Sequence, residues 1–320
     1  MTHKGKMLDA IKTKFLWIIL GTAVFYVLLI LMSDVEEISK SFLDIRAEFL
    51  FLIFVLGFLS HVVKSFRQKD LFGLVGEKIP MFQNLIIYMS GLSLVTTPGG
   101  AGIFIKSVYM KKIFNTPTEK SIAVIFLERY HDLLGGTSIV LVTLLIHFGL
   151  ISMSLVVISS LLLGVIFLLI KSQRFFVSLY SKLRKVRFVS KNIPEIKPSK
   201  SFSILTKPKN MTRGWLFSVL GWSIDSLSVY VVFLSLNVDL GYILTSQIYL
   251  ASLGYGILSL LPGGIGVSEG VADLLLVRQG LELSVAASLV IMMRLCTMWF
   301  ATFIGIIFTR IVLKQKIQSS

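Results

Sequence analysis

The chain has 320 residues, of which 55% are hydrophobic and only 15% are charged, and its formal net charge is +15. Soluble domains contain about 45–50% apolar and about 25% charged residues, so this composition excludes an ordinary soluble core. The single cysteine, Cys296, excludes an intrachain disulfide framework and a cysteine-based metal site. Most positive charges lie between long apolar runs, which favours a membrane protein over a nucleic-acid-binding protein.

Taken in chain order, the apolar runs predict an all-α, polytopic membrane protein. The predicted spans are 15–33, 48–63, 120–148, 150–170, 214–235 and 284–313. Two pairs of apolar segments are interrupted by Pro-Gly-Gly, namely 81–97 with 99–110 and 240–261 with 263–277. The second segment of each pair is shorter than the roughly 20 residues that a helix needs to cross a bilayer. The lengths therefore predict two broken, re-entrant helix pairs.

The charges between the spans predict an orientation in the cell membrane. The segment 33–48 is mainly acidic, whereas 64–80 is basic and 171–213 holds twelve Lys or Arg residues and one acid. Because positively charged loops remain in the cytoplasm, we expect the N-terminus, 64–80, 111–120, 171–213 and the C-terminus there. The two broken pairs would then open to opposite sides of the membrane.

The two interruptions resemble each other. Pro98-Gly99-Gly100-x-Gly102 matches Pro262-Gly263-Gly264-x-Gly266, and Arg129 and Arg294 follow at similar distances. Together with the predicted orientation, this match indicates an inverted internal repeat within a single membrane domain, 1–320. Half one would span about 48–170 and half two about 214–313, joined by the basic loop 171–213. Inverted repeats with broken helices are typical of transporters, whose sites lie near the bilayer midplane. The alternative is coincidence in a chain with 24 glycines.

Eight ionisable residues fall inside the apolar runs: Lys106, Glu128, Arg129, Asp132, Asp225, Glu269, Asp273 and Arg294. Each costs about 2.5–3.5 kcal/mol at the centre of a membrane helix, so they should be paired, hydrated or close to an interface. We expect Lys106, Arg129 and Arg294 to neutralise an anion. Glu128, Asp132 and Glu269 would orient the arginines or meet a cationic head group. Asp225 would be an ion or proton relay, or only a hydrogen-bond acceptor.

The glycine motifs add a second type of anion contact. Glycine-rich breaks before short helices expose backbone N–H groups at the positive end of a helix dipole, which suits phosphate. The predicted contributors are Gly99, Gly100, Gly102, Gly263, Gly264 and Gly266. The alternative is that the interior charges only pair with each other, for example Arg129 with Glu269 across the two halves. No metal or other cofactor is predicted.

The stretches "TTPGGAGIFIKSVYM", "LERYHDLLGG" and "LPGGIGVSEGVADLLL", the last followed by "MMRLCTMWF", resemble the lysylphosphatidylglycerol synthase transmembrane-region family, also called flippase-like. The resemblance covers roughly 15–313. It implies an inner-membrane helical bundle with re-entrant elements, which in the best-known members moves an aminoacylated phospholipid. The family often has a glutamate where Ile103 stands here, while Lys106 matches its basic position. Synthase activity belongs to a separate soluble domain, and a stand-alone member without that domain, not an enzyme, is expected.

These observations predict a lipid translocase of the flippase or scramblase kind. Its substrate would be an anionic phospholipid or a polyprenyl-phosphate-type lipid, with the head group near the two Pro-Gly-Gly breaks. One alternative is a membrane-embedded transferase for a lipid-linked substrate, with Glu269, Glu128 or Asp225 as base. Another is a non-catalytic membrane partner. The expected partners are membrane lipids, with a separate lipid-modifying enzyme and a second copy of the chain as further candidates, and no nucleic acid.

Overall fold

The computed structural model describes residues 45–97, 100–148, 164–165 and 200–318. Nearly all of these residues are helical and none forms a β-strand, which confirms the all-α prediction. The predicted span 15–33, nearly all of the span 150–170 and residues 171–199 of the basic loop lie outside the described residues. Pro98 and Gly99 of the first motif do so too.

Within residues 45–148, the described stretch of half one folds into four helices and two short 3₁₀ turns. They are α1 (Ala47–Leu74), α2 (Met81–Gly91), the turns Leu92–Leu94 and Ala101–Phe104, α3 (Ile105–Phe114) and α4 (Thr118–Phe148). Pro80 and Pro117 immediately precede α2 and α4. Proline is tolerated at the start of a helix because an N–H group there would have no acceptor within the helix. The first motif therefore separates α2 from the short arm α3, as predicted for a broken pair.

The second part of the chain has the same order of long, broken and long elements. It comprises α5 (Ser201–Leu205), α6 (Pro208–Ser235), α7 (Gly241–Leu258), α8 (Val267–Arg278), α9 (Leu283–Arg294), the π-helical turn Leu295–Trp299 and α10 (Phe300–Gln318). Helices α1 and α6 both have 28 residues. Pro208 is the first residue of α6, a position that favours proline.

Three continuous helical segments of the described chain are long and apolar enough to cross a membrane. They are Ala47–Leu74, Pro208–Ser235 and Leu283–Lys314. Large apolar side chains also stand on the outer surface, including Phe51, Phe82 and Leu258, each at least 70% exposed. Such extensive apolar surface suits lipid rather than water. These features are those of an α-helical membrane protein.

The predicted boundary between span 48–63 and a basic loop at 64–80 is wrong. Helix α1 continues to Leu74, and both Lys64 and Arg67 are buried inside the protein. The physical reason is periodicity: Lys64, Arg67 and Leu71 recur at helical spacing on the buried face of α1. These two positive charges are therefore part of the interior and not of a loop that sets the orientation.

The two halves meet mainly through their long helices. Helix α1 packs along α6, which also packs against α4, and α10 lies on α2 and the Leu92–Leu94 turn. At the last contact, a Cβ atom built on Gly305 would lie 2.1 Å from the backbone nitrogen of Ser93, so only glycine permits this approach. The arms α3 and α8 pack chiefly against helices of their own halves. The interior between α1, α4 and α6 is therefore the place where side chains from both halves can converge.

Candidate functional site

Helix α1 carries a buried polar stripe. Lys64 follows Ser60 by four residues, and Arg67 and Gln68 follow Lys64 by three and four, so all of them lie on the buried side of the helix. Buried lysine and arginine side chains require opposite charges nearby, and these come from Asp225 on α6 and Asp132 on α4. The sequence prediction does not include Lys64, Arg67 and Gln68 in the site, because its apolar span ends at residue 63. Their regular spacing is the signal that could have identified them.

Lys64 and Asp225 join the two longest helices. Lys64 Nζ lies 3.0 Å from Asp225 Oδ2 and 3.7 Å from the centre of the Trp222 ring. The Tyr249 hydroxyl donates to the same carboxylate at 3.4 Å, and Gly221 leaves room for the Lys64 stem. Each member of the pair lies 17 residues after the first residue of its helix. Asp225 therefore has a cationic partner at the matching position of the other half, while its predicted relay role stays a prediction.

Asp132 is shared by two arginines. Arg67 Nη1 lies 2.7 Å from Asp132 Oδ1, and Arg129 Nη2 lies 2.8 Å from Asp132 Oδ2. Arg67 Nη1 also donates to the hydroxyl of Ser218 on α6. The Arg67 side chain is fully buried, whereas that of Arg129 is 34% exposed. Residues of α1, α4 and α6 thus meet around Asp132. The single negative charge of Asp132 faces the two positive charges of Arg67 and Arg129.

Lys106 and Glu128 connect the first arm to the helix that follows it. Lys106 Nζ lies 2.5 Å from Glu128 Oε2 and donates to Gln68 Oε1 at 2.8 Å. Gln68 in turn donates to Asn84 Oδ1 at 2.9 Å. The stem of Lys106 passes Gly91, where a Cβ atom would lie only 2.8 Å from it. The pair is therefore held in a fully buried hydrogen-bond network that includes α1 and α2.

Glu269 and Arg294 connect the second arm to its following helix. Arg294 Nε lies 2.8 Å from Glu269 Oε1, and its Nη2 donates to the Gly263 carbonyl at 2.5 Å. The second carboxylate oxygen of Glu269 accepts the Gly266 N–H at 2.8 Å at the start of α8. A pairing of Glu269 with Arg129 across the halves is therefore wrong. Helices α8 and α9 are consecutive and pack together, which brings Arg294 to Glu269.

The two arm contacts have reversed charges. In half one the arm supplies the cation, Lys106, and α4 the anion, Glu128; in half two the arm supplies the anion, Glu269, and α9 the cation, Arg294. In terms of contacts, Arg294 therefore corresponds to Glu128 and not to Arg129, the residue with which the sequence spacing had matched it. Each arm is therefore held to a following helix by one ion pair, and the positive and negative partners are exchanged between the two halves.

The motif glycines shape the two breaks. Gly100, Gly263, Gly264 and Gly266 have φ between +61° and +86°, which side-chain-bearing residues rarely adopt. Four N–H groups already have acceptors inside the protein: Gly100 donates to the Thr97 carbonyl, Gly102 to Thr97 Oγ1, Gly264 to the Leu261 carbonyl and Gly266 to Glu269. These four donors are not free here, and the role predicted for the glycines in phosphate binding stays a prediction.

The amino-acid sequence resembles those of known proteins. A family model described as lysylphosphatidylglycerol synthase TM region matches residues 18–305. A UPF0104 membrane protein of Methanocaldococcus jannaschii is 25% identical over 304 residues, covering 88% of this chain and 90% of that protein. A second, from Pyrococcus horikoshii, is 31% identical over 110 residues, covering 34% and 32%. A third, from Methanothermobacter thermautotrophicus, is 20% identical over 250 residues, covering 71% and 73%. Because the family model spans most of the sequence, this chain belongs to the lysylphosphatidylglycerol synthase transmembrane-region family.

Proposed function

We propose that this protein is a translocase that moves an anionic lipid between the two leaflets of a membrane. The observation that carries the proposal is a set of buried ion pairs in the interior of both halves. Lys106 pairs with Glu128, Arg67 with Asp132, Lys64 with Asp225, which Tyr249 also contacts, and Arg294 with Glu269. Large apolar side chains lie on the outer surface.

A lipid head group that crosses a bilayer must leave water while its acyl chains remain in lipid. A charged side chain at the centre of a membrane helix costs about 2.5–3.5 kcal/mol on insertion scales, and a lipid phosphate faces the same type of penalty. An interior that contains both signs of charge offers partners to a passing head group. Non-helical backbone such as the two glycine breaks is tolerated at membrane depth only inside protein or along a hydrated cavity.

In this proposal the protein is a multi-pass protein of the cell membrane, with both termini in the cytoplasm. The two halves alternate in exposing the interior, as in transporters built from inverted repeats. The contact between α1 and α6, with Lys64 and Asp225 at matching positions, is where the halves would turn against each other.

A second candidate is a non-catalytic membrane partner whose interior charges only hold its helices together. The Glu269–Arg294 pair favours it, because both oxygens of Glu269 already accept hydrogen bonds and Arg294 also binds the Gly263 carbonyl and Met298. This pair has the character of a structural clamp. The cluster around Asp132 does not, since it has more cations than carboxylates.

Purified protein in vesicles with fluorescent phosphatidylglycerol tests the proposal. Dithionite should bleach about half of the label in protein-free vesicles and nearly all of it when an active translocase is present, as lipid crosses to the outer leaflet. Arg129→Ala should slow the bleaching. Arg213→Ala, which removes a half-exposed side chain paired with Asp70 on the surface, is the matched control and should not. Wild-type protein that leaves half of the label protected would exclude the translocase and favour the partner protein.

A further inference from the structure

The buried charges around Asp132 are not balanced. The other interior pairs are one to one: Lys64 with Asp225, Lys106 with Glu128, and Arg294 with Glu269. Among the buried ion pairs of the described residues, only Asp132 serves two cations, Arg67 and Arg129. The cluster therefore carries one positive charge in excess. Buried charges are normally paired, and the described residues supply no further carboxylate in contact with these two arginines. The excess would therefore suit a negative group of a bound ligand.

Free hydrogen-bond donors lie at the same place. The Arg67 side chain is 0% exposed, yet its Nε and Nη2 have no hydrogen-bond partner in the described part of the chain, and the same is true of the buried Nε of Arg129. Most buried polar atoms in proteins are hydrogen-bonded, and the exceptions mark sites of function or of an absent ligand. Three unused guanidinium donors beside an excess positive charge point to an anion.

Arg129 is the arginine of this cluster that reaches the protein surface. About a third of its side chain is exposed, whereas Arg67 lies behind it on α1. A ligand would meet Arg129 first and reach Arg67 once the helices separate slightly. Asp132 is bound to both arginines and so holds their guanidinium groups close to each other.

We propose that Arg67 and Arg129, oriented by Asp132, form a subsite for a single negative charge, the monoanionic phosphodiester of a lipid head group. This inference rests on the proposed translocase function. Guanidinium groups donate in a planar, bidentate geometry that matches phosphate oxygens. A phosphodiester carries one negative charge, equal to the excess, whereas a phosphomonoester carries about 1.5 to 2 at neutral pH.

The same charge balance disfavours a head group with an added ammonium group. Such a group would need a carboxylate beside the two arginines that is not already neutralised. Asp132 is used by both arginines, and the unpartnered Oε1 of Glu128 belongs to a carboxylate that Lys106 neutralises. The subsite therefore selects anionic lipids without an amine over zwitterionic and aminoacylated lipids.

Binding in a neutral detergent tests this selectivity without any transport step. The probes are the dihexanoyl forms of phosphatidylglycerol, phosphatidylcholine and phosphatidic acid, together with inorganic phosphate, each followed by the change in protein fluorescence. We expect phosphatidylglycerol to bind about tenfold or more tightly than phosphatidylcholine, because both share the phosphodiester contact but the ammonium group of phosphatidylcholine finds no free carboxylate beside the two arginines. Inorganic phosphate should not compete, which identifies a lipid-borne phosphate. Equal affinity for the two phospholipids, or competition by inorganic phosphate at equal concentration, would overturn the proposal.

Two variants change the charge balance in opposite directions. Arg129→Gln removes the excess while Arg67 and Asp132 remain paired, so it should abolish the preference for phosphatidylglycerol. Asp132→Asn raises the excess to two charges, so it should shift the preference towards phosphatidic acid. Arg213→Gln on the surface is the control and should change neither ratio.

Affinity ratios within one variant are not altered by a general loss of stability. If Arg129→Gln still prefers phosphatidylglycerol, the proposed subsite is wrong. Transport of every phospholipid at the same rate in vesicles would agree with the proposed translocase function but contradict the proposed selectivity for anionic lipids.

Discussion

At the scale of single residues, burial decides what each charge does. Lys106 and Glu128 are 1% and 0% exposed, so neither can be solvated by water. The desolvation of such a pair offsets most of its attraction, and its net contribution to stability is small. Removing one member is a different matter, because the other is left as an uncompensated buried charge. The pair therefore fixes the position of α3 against α4 more than it stabilises the protein.

We expect Lys106→Met to lower the free energy of unfolding by about 3–5 kcal/mol, because Glu128 is left without a cation. The double variant Lys106→Met with Glu128→Met should recover most of that loss, since two apolar side chains replace both charges. Thermal unfolding in detergent measures the effect. Lys120→Met is the control, because its pair with Glu77 is partly exposed and should contribute at most about 1 kcal/mol. A double variant no more stable than Lys106→Met would contradict this account.

At the scale of helices, glycine decides how closely elements approach. Helix α10 crosses α2 and the Leu92–Leu94 turn with Gly305 facing the backbone of Leu92 and Ser93. Thr309, one turn later, donates to the Ser90 carbonyl at 3.2 Å. Close backbone approach through small residues is the usual way in which helices associate inside lipid. This contact ties the last helix of half two to the broken pair of half one.

Gly305→Ala should destabilise the protein, because the new Cβ atom would lie 2.1 Å from the Ser93 nitrogen and α10 would have to move. Overpacking of this kind costs about 1–3 kcal/mol. Gly136→Ala is the matched control in α4: nothing lies within 4 Å of its Cβ position, so helix propensity should leave it neutral or stabilise it by up to about 1 kcal/mol. Melting temperatures in detergent compare the two. Equal melting temperatures would show that α10 and α2 are not in such close contact.

At the scale of the whole molecule, the two halves follow the same order of elements. Two residues at matching positions of their halves can touch only close to an axis that relates those halves, and Lys64 and Asp225 do touch. This contact is what a repeat with its axis near the α1–α6 crossing would produce, and the repeat itself stays a prediction. The inverted orientation of the halves stays a prediction, which labelling can test.

In a Cys296→Ser background, single cysteines at exposed positions should report the side of the membrane on which they lie. Lys112→Cys and Lys209→Cys should react with an impermeant thiol reagent only after the cells are permeabilised, because inverted halves place both in the cytoplasm. Gln279→Cys, after α8, should react in intact cells. All three positions are exposed in the structure. Labelling of all three from the same side would rule out the inverted arrangement.

The helical membrane class, the positions of the two breaks and most of the buried charges could be predicted from the amino-acid sequence. These properties follow from composition and from apolar runs, which are local along the chain. The pairing of the charges could not, because Lys64 contacts Asp225 across 161 residues, Arg67 contacts Asp132 across 65, and Glu269 pairs with Arg294. Helix crossings select these partners, and no local pattern encodes a crossing. For the same reason, the excess charge at Asp132 became visible only after Arg67 was found inside the protein.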